Sequence, residues 1–251
     1  MAVVGSIDGS DAGDWNGAAY VFVRNGERWE EQAKLTASSV AEGLSDHFGW
    51  SVAINGDVAI VGSPYDDDAG KNSGSAYVFL YNGDTWEEKK KLTASDAAAG
   101  DHFGRSVAID GDMAIVGSPY DDDAGTSSGS AYVFVRNGDM WEETKKLTAR
   151  DTAAGDYFGW SVAISGDVVI VGADEDDDAG GDSGSAYVFI RNGDMCEEKR
   201  KLTASDATAS DYFGYSVAIS GDVAIVGSFG DDNAGGNSGS AYIKYYDGCS
   251  Q

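Results

Sequence analysis

The sequence is poor in residue types that often define the class of a protein. Its 251 residues include only two cysteines, Cys196 and Cys249, together with two prolines and two histidines. Two cysteines cannot build the disulfide framework of a small secreted domain, although one bond between them stays open. With so few prolines, tight turns must depend on Gly, Asn and Asp, and the chain contains 35 glycines.

Positive charge is also scarce, because 17 Lys and Arg stand against 43 Asp and Glu, a formal net charge of −26. Such a field repels nucleic-acid phosphates and anionic membrane surfaces, which argues against both as partners. Residues 1–23 lack the basic start and apolar run of a signal peptide, and no stretch is long and apolar enough to predict membrane insertion. The compartment stays open at this point.

Catalytic motifs are missing as well. The sequence has no recognisable Ser-His-Asp set, Cys-His pair or glycine-rich phosphate loop before a helix. Carboxylate pairs are plentiful, so the residue types alone leave glycosidase chemistry open. Each of these carboxylates recurs in several repeats, whereas an active site normally breaks such symmetry. We therefore predict that the protein is not an enzyme, with a hydrolase as the weakest alternative.

Internal repetition is what the chain has in abundance. The motif Asp-aromatic-Phe-Gly recurs every 55 residues. A fixed period of this length determines the architecture before any single residue does. The four aspartates are Asp46, Asp101, Asp156 and Asp211. We expect one domain over 1–251, built from repeats 1–45, 46–100, 101–155, 156–210 and 211–251.

Each full repeat contains the pattern of four short antiparallel strands. In the second repeat they are predicted at 51–54, 58–61, 75–80 and 86–94, with Asn-Gly turns between the first and the last pair. The first three are apolar runs typical of strands covered on both faces, and the charged fourth suits an outer edge. Graded sheets of this kind are the blades of a β-propeller. A β-solenoid or β-sandwich fits the pattern less well.

The terminal repeats are incomplete, because the first lacks its first strand and the last lacks its fourth. The fold class predicted is therefore an all-β propeller of about five blades with three-stranded terminal blades. Ring closure through those two blades, membership of a larger propeller, and ends that meet in an oligomer all stay open.

The Phe-Gly pairs, each followed by Ser-Val-Ala-Ile and then Val-Gly, resemble the FG-GAP repeats. Such repeats form the integrin α-chain propeller and occur in many extracellular microbial proteins, including those of bacteria and marine microalgae. The resemblance implies a non-catalytic, secreted or cell-surface propeller used in adhesion or assembly, often with bound calcium. The integrin calcium loop, Asp-x-Asp-x-Asp-Gly-x-x-Asp, has no match here, so calcium must be argued from this chain's own residues.

An acidic loop between the second and third strands of each repeat is the candidate calcium site. Calcium takes several oxygen ligands, and the alternate residues Asp66 and Asp68 can face one ion while Asp67 points away. The alternative is a solvated loop whose aspartates cap turns. Asp8, Asp11 and Asp14 lie in the same loop of the first repeat. The candidate metal ligands are Asp66, Asp68, Asp121, Asp123, Asp176, Asp178, Asp231 and Asn233.

The residue after each Phe-Gly pair is a candidate ligand-binding position: Trp50, Arg105, Trp160 and Tyr215. On a surface these side chains could stack on a sugar or hold a peptide, and the alternative is packing between blades. The predicted function is a protein-interaction module for adhesion or assembly, with a protein or extracellular-matrix partner. A lectin-like propeller that binds a glycan is the alternative, and an oligomer or a subunit of a larger assembly stays open.

Three further features are predicted to be structural. The aspartate that opens each Asp-x-Phe-Gly motif is expected to accept hydrogen bonds from its own turn. His47 and His102 fill a position that holds tyrosine in later repeats, which indicates packing rather than metal binding. Cys196 fills the tryptophan position of the fourth strand, as an apolar substitute.

Overall fold

A computed structural model of the chain describes residues 1–8, 16–39, 45–193, 195–236 and 238–245. The acidic residues Asp11 and Asp14 and the cysteine Cys249 lie outside the described residues. Within those ranges every regular element is a β-strand, and the 18 strands form five antiparallel sheets. No helix in the described part of the chain is long and apolar enough to span a membrane.

Each sheet is a meander in which strands adjacent in sequence are hydrogen-bonded neighbours, and the first and last sheets have three strands while the others have four. The strands are β1 Ala2–Ser6, β2 Ala18–Asn25 and β3 Arg28–Leu35; β4 Ser51–Asn55, β5 Val58–Ser63, β6 Ser75–Tyr81 and β7 Trp86–Leu92; β8 Ser106–Asp110, β9 Met113–Ser118, β10 Ser130–Asn137 and β11 Met140–Leu147; β12 Ser161–Ser165, β13 Val168–Ala173, β14 Ser185–Asn192 and β15 Met195–Leu202; β16 Phe213–Ser220, β17 Val223–Ser228 and β18 Ser240–Tyr245.

Turn chemistry explains the meander. Gly56 has φ +59° in the two-residue turn between β4 and β5, a conformation that glycine adopts without steric cost. The pairing of β6 with β7 contains a register shift between Val78 and Phe79. The same shift recurs in the first and fourth sheets, so it is a regular β-bulge of the repeat rather than a local irregularity.

Burial is graded across each full sheet. All six residues of β5 are buried, whereas in the charged β7 only Leu92 is buried and the other residues are half-buried or exposed, as predicted for an outer edge strand. The first strand differs from the prediction, because β4 is only half-buried along its whole length. As the other edge strand of its sheet it has a neighbour on one side only.

The core lies between neighbouring sheets, and the phenylalanine of each Asp-x-Phe-Gly motif is part of it. In one cluster Phe48 of the second repeat packs with Val21 and Leu35 of the first sheet. In another cluster Phe213 packs with Val188 and Leu202 of the fourth sheet. These phenylalanines are completely buried, so they hold successive sheets together.

The chain separates into two compact units. The first contains Met1–Val116 and Phe134–Glu143, and the second contains Gly117–Val133 and Thr144–Gln251. The predicted fold class is confirmed: the protein is an all-β propeller with five blades, of which the first and last are three-stranded. That the whole chain forms one domain stays a prediction.

Candidate functional site

The acidic loop of the second repeat surrounds a buried ion pair. Asp66 is 1% exposed, and its Oδ2 lies 2.8 Å from Lys91 Nζ and accepts a 2.8 Å hydrogen bond from Tyr77 Oη. Lys91 also contacts the carboxylate of Asp68, and its ammonium lies 5.3 Å from the centre of the Tyr77 ring. Two acids, one lysine and one tyrosine thus form a closed cluster, called the Asp-Tyr-Lys cluster below.

Strand register creates this cluster. Tyr77 on β6 lies directly opposite Lys91 on β7, so both side chains leave the same face of the sheet and reach the loop that follows β5. Directly opposite residues in an antiparallel pair have neighbouring side chains, and a positive charge can therefore meet the loop carboxylates without any change in the backbone. The third and fourth repeats have the same tyrosine and lysine at the same separation of 14 residues.

In the third and fourth repeats a third acid lies beside the two loop acids, Asp96 in the third and Asp151 in the fourth. Lys201 Nζ lies 2.8 Å from Asp176 Oδ2 and 2.8 Å from Asp151 Oδ2, and it contacts Asp178. The carboxylates of these three acids lie within 4.8 Å of one another, close enough to hold a metal ion. The lysine ammonium occupies the middle of this group, so the positive charge that the acids require comes from the protein itself.

The pKa values follow from these contacts. Burial alone would lower the pKa of Lys201, but its hydrogen bonds to Asp151, Asp176 and Asp178 outweigh burial and raise it. Burial and the neighbouring Asp176 carboxylate raise the pKa of Tyr187 far above its usual value. At neutral pH the lysine is therefore charged and the tyrosine is a hydrogen-bond donor, which is the pairing that the buried acids need.

Two of the candidate metal ligands, Asp66 and Asp68, surround Lys91 in the second repeat. Asp66 and Asp68 converge on one cation as expected, and that cation is an ammonium group. Asp67 points elsewhere, because its Oδ1 accepts a 2.6 Å hydrogen bond from the backbone N–H of Asn72. Asp66 Oδ1 also accepts from the N–H of Asp68, at 3.1 Å. The loop therefore combines convergent carboxylates with turn capping.

The same arrangement holds at Asp121 and Asp123 of the third repeat. Lys146 Nζ lies 2.8 Å from Asp121 Oδ2 and 2.6 Å from Asp123 Oδ2. Tyr132 Oη donates to Asp121 Oδ2 at 2.8 Å. The acids of the loop were predicted from the sequence, but these lysines were not. The signal that could have found them was the constant spacing between the tyrosine of the third strand and the lysine of the fourth.

In the described part of the last repeat an amide and a tyrosine contact the loop acids. Asn233 stands where the other loops have a third aspartate, and its Nδ2 donates to Asp206 Oδ2 at 2.7 Å and to Asp231 Oδ2 at 3.4 Å. Tyr242 Oη lies 2.6 Å from Asp231 Oδ2, and this contact helps to lower the pKa of Asp231. An uncharged amide thus replaces a carboxylate in the repeat whose described residues include no fourth strand.

The aspartate of the Asp-x-Phe-Gly motif has the structural role predicted for it. Asp156 is buried, and its Oδ2 accepts a 2.6 Å hydrogen bond from the N–H of Ala153 in its own turn. Asp101 and Asp211 make the equivalent contact. Burial and the repulsion of Asp176 outweigh the lowering effect of the hydrogen bond from Ala153 and raise the pKa of Asp156 to about 6. Burial and the repulsion of Asp66 raise the pKa of Asp46 to about 6 as well.

This shift predicts a pH effect that one variant can isolate. The folded state keeps the Asp156 proton up to a pH near 6, whereas the unfolded state releases it near its ordinary pKa of 3.8. The aspartate therefore loses stabilising effect as the pH rises between those values. We expect Asp156→Asn to gain about 2 kcal/mol relative to the original protein between pH 4 and pH 7. Urea unfolding at several pH values measures this difference, and a constant difference would contradict the assignment.

The residues after the Phe-Gly pairs contact one another along each compact unit. In the first unit the Arg105 guanidinium lies 4.9 Å from the centre of the Trp50 ring. In the second unit Trp160 and Tyr215 have ring centres 5.8 Å apart, and Tyr120 lies 6.5 Å from Trp160. All of these side chains are half-buried or exposed. They are therefore both packing residues and part of the surface, and their proposed binding role stays a prediction.

A continuous aromatic row results in the second compact unit. Tyr157 lies 5.2 Å from Tyr120 and 6.2 Å from Trp160, and Tyr215 continues to Phe229 at 4.5 Å between ring centres. We call Tyr120, Tyr157, Trp160, Tyr215 and Phe229 the aromatic row. Tyr215 is 42% exposed and Phe229 is 51% exposed, so the end of this row near the last sheet is open to solvent.

Backbone strain accompanies these rings. Tyr157 has φ +53°, and His47, His102 and Tyr212 have φ between +53° and +55°. A left-handed conformation costs an aromatic residue about 1 kcal/mol, which Gly or Asn would avoid. Packing of the side chains explains why aromatic residues stand at these positions. The His47 ring lies 4.6 Å from the Tyr65 ring, and Tyr157 packs in the aromatic row. The two histidines are thus packing residues, as predicted.

Cys196 also has the role expected of it. The residue lies opposite Arg191 in the register position that places Trp86 opposite Tyr81, and it is buried. It is a free thiol, and burial raises its pKa to about 11. A neutral thiol in a packed position is an apolar substitute for tryptophan rather than a reactive group.

Comparison with known proteins finds one family model and individual proteins to which this chain is similar. The Gallus gallus protein integrin alpha-6 is 27% identical over 173 residues, covering 62% of this chain and 15% of its own length. Among solved structures, the crystal structure of Saccharomyces cerevisiae Sqt1 has a TM-score of 0.42 at 12% identity, over 72% of this chain and 43% of that one. The model of the FG-GAP repeat matches residues 29–79, 86–134, 141–189 and 196–244. The chain therefore belongs to the FG-GAP repeat family.

Proposed function

We propose that the protein is a non-catalytic interaction module that binds another protein in adhesion or assembly, at the cell surface or outside the cell. The FG-GAP repeats support this class of function. The observation that carries the proposal is the aromatic row of the second compact unit, because aromatic rings in contact and partly exposed to solvent are the usual anchors of protein interfaces.

The net charge of the chain indicates which kind of partner surface it binds. With a net charge of −26, the protein attracts a surface rich in Lys and Arg and repels an acidic one. Tyr and Trp provide rigid contact area with a polar group at the edge, so little side-chain entropy is lost on binding. The partner proposed is therefore a protein or extracellular-matrix surface in which basic residues surround an apolar contact.

The acids of the described loops support a non-catalytic role. In the second, third and fourth repeats the buried aspartate is held by one lysine and one tyrosine, which leaves it acting as a structural anion. Asp156 has a raised pKa, but its carboxyl group accepts a hydrogen bond from the backbone N–H of Ala153 in its own turn. Both arrangements recur from repeat to repeat, and a catalytic pair would need two acids in different surroundings.

The test is a comparison of two tryptophan variants on immobilised extracellular-matrix proteins and on a glycan array. We expect the original protein to bind one or more matrix proteins and Trp160→Ala to bind about tenfold more weakly. Trp29→Ala is the matched control, since Trp29 is 54% exposed on β3, outside the aromatic row. Binding to glycans alone would favour the lectin-like alternative, in which Trp160 stacks on a sugar. Absence of binding to either set would contradict the proposal.

For the acidic loops we propose that lysine, rather than calcium, is the resident cation. The oxygen donors suit calcium, but Lys91, Lys146 and Lys201 already form ion pairs with the acids of three of the loops. A calcium ion must therefore displace a buried ammonium group, and we expect little change in melting temperature between chelator and millimolar CaCl2. A rise of several degrees on adding calcium would mean that a metal ion, rather than lysine, is the resident cation.

A further inference from the structure

The two histidines of the chain, His47 and His102, lie in one side-chain cluster of the first compact unit. Both are in T-shaped contact with the same ring, because their centres lie 4.6 Å and 4.8 Å from the centre of Tyr65. Trp50 is a fourth ring, stacked on His47 at 6.0 Å and 5.7 Å from Tyr65. The guanidinium of Arg105 lies 4.9 Å from the centre of the Trp50 ring. We call these five residues the histidine-arginine cluster.

The backbone fixes the positions of these side chains. The N–H of Arg105 donates to the carbonyl of His102 at 3.1 Å, and the N–H of Trp50 donates to the carbonyl of His47 at 3.1 Å. The N–H of His102 in turn donates to the carbonyl of Asn72 at 3.1 Å. All five side chains of the cluster are half-buried, so the group is packed and still reaches the solvent. A ligand that binds here therefore needs to order few side chains.

Packing alone does not require these residue types. The fourth and fifth repeats have Tyr157 and Tyr212 at the positions of the histidines, and Trp160 and Tyr215 at the positions of Trp50 and Arg105. The two tyrosines have the same left-handed backbone as the histidines, with φ +53° and +55°. Since aromatic residues meet the structural need in those repeats, the histidines and the arginine of the first unit indicate a role beyond packing.

The cluster carries positive charge in a chain whose net charge is −26. Burial and the nearby charge of Arg105 lower the pKa of His102, so at neutral pH its imidazole is uncharged and has one N–H donor. At the equivalent position of the last repeat the surroundings are acidic, because burial and the carboxylates of Asp182 and Glu175 raise the pKa of Tyr212. The positive character therefore distinguishes the first unit and is not a property of every repeat.

A carboxylate is the ligand group that fits this arrangement. Arginine stacks on an aromatic ring through its planar face and binds a carboxylate through the N–H groups at its edge, so Arg105 can make both contacts at once. The imidazole of His102 supplies a further donor beside it. The surrounding rings exclude part of the water, which strengthens a charge-assisted hydrogen bond.

The net charge of the chain decides between the sources of such a carboxylate. An acidic glycan carries many negative charges, and a chain with a net charge of −26 repels it along its whole length. One Asp or Glu in a protein segment brings a single negative charge, and basic residues next to it are attracted by the rest of the chain. A protein segment with one carboxylate among apolar and basic residues is therefore favoured.

We propose that the histidine-arginine cluster binds the carboxylate of one Asp or Glu side chain of the protein partner, with Arg105 as the ion-pair partner and Trp50 and His102 beside it. This inference rests on the proposed function, because it takes the partner to be a protein. It deepens that function by adding a contact in the first compact unit that recognises a single acidic side chain. The contact gives specificity for a partner that net charge alone would not select.

A pair of peptides tests the proposal on the full chain. The probe is acetyl-Lys-Phe-Glu-Phe-Lys-amide, and the comparison peptide has Gln in place of Glu. We expect isothermal titration calorimetry to show about tenfold tighter binding of the Glu peptide, through its charge-assisted hydrogen bond. The field of the chain predicts the opposite order, because the Gln peptide is the more positive. Equal binding of the two peptides, tighter binding of the Gln peptide, or binding of neither would overturn the proposal.

Variants of Arg105 locate the site. We expect Arg105→Gln to lose the preference for the Glu peptide, because the guanidinium is removed. Arg105→Trp is a second variant that should fold, since the second and fourth repeats have tryptophan at this position, and it should lose the preference as well. Arg28→Gln is the matched control, since Arg28 is exposed on β3 of the same compact unit, and it should keep the preference. A preference for the Glu peptide that survives in both Arg105 variants would reject the site.

Binding to matrix proteins separates this inference from the proposed function. If Trp160→Ala weakens that binding and Arg105→Gln leaves it unchanged, the proposed function stands and the carboxylate site is rejected. If no matrix protein binds but the Glu peptide is preferred in an Arg105-dependent manner, the site is supported and the proposed function is contradicted. Binding of heparin that depends on Arg105, with binding of neither peptide, would replace the protein carboxylate by an acidic glycan and overturn the proposal.

Discussion

Replacing Lys201 by methionine is expected to lower the free energy of unfolding by about 3 kcal/mol at neutral pH. The methionine keeps most of the side-chain volume but removes the ammonium that lies 2.8 Å from both Asp151 and Asp176. Asp176 is buried and would be left without a counter-charge, which is the costly case for an ion pair inside a protein. For a chain of this size the melting temperature should fall by about 6–12 °C.

Two comparisons make this result specific. Lys199→Met removes an exposed lysine of the same strand, paired with exposed Glu197, and should leave the melting temperature unchanged. Adding Asp176→Asn to Lys201→Met removes the buried charge as well, and most of the lost stability should return. If Lys201→Met and Lys199→Met melted alike, the lysine would not be the counter-ion of the loop.

The same variant also tests whether lysine or calcium is the cation that pairs with the loop acids. Without the ammonium, the carboxylates of Asp151, Asp176 and Asp178 remain within 4.8 Å of one another and lack a cation. We expect millimolar CaCl2 to raise the melting temperature of Lys201→Met while leaving the original protein nearly unchanged. An equal response of both proteins would contradict the view that lysine takes the place of a metal ion.

Gly159→Ala is expected to have the largest effect of any conservative substitution, a loss of about 4 kcal/mol or more. Gly159 has φ +96°, and a Cβ built on it would lie 2.2 Å from the carbonyl oxygen of Ser130. The opposing atom belongs to the backbone, so no side-chain rotation can relieve the collision. The Phe158 turn would have to leave its place in the core, and thermal or urea unfolding should detect the loss.

Gly166→Ala is the matched control. Gly166 also has a positive φ, +57°, but an added Cβ there meets no atom within 4 Å. Its substitution should cost about 1 kcal/mol, the conformational penalty alone. The difference between the two alanine variants therefore measures the close approach of the Phe-Gly turn. Similar losses of stability in both variants would show that the backbone conformation alone, and not this close contact, requires glycine at position 159.

Local sequence signals were sufficient for the architecture. The 55-residue period, the Asn-Gly turns and the alternation of apolar and charged strands predicted five sheets and their strand order, because meander connections are short and turn geometry is encoded in a few residues. The half-buried first strand was missed. Its apolar residues resemble those of β5, and only its edge position reduces its burial.

The acidic loops were predicted only in part. The convergence of Asp66 and Asp68 followed from their alternate positions, but the identity of the cation did not. Lys91 is remote from the loop in sequence and reaches it because β6 and β7 pair with Tyr77 opposite Lys91. The left-handed conformation of Tyr157 was not predictable either, since it depends on ring contacts with a neighbouring repeat.

The amino-acid sequence by itself determined the family, the number of repeats and the order of strands in each sheet, because these depend on periodicity and short-range turn chemistry. The tertiary structure decided which charge is paired with the buried aspartates and which aromatic side chains come into contact in the aromatic row. Both depend on contacts between residues far apart in the chain. Those contacts are set by strand register and by the packing of one sheet against the next, which no local pattern specifies.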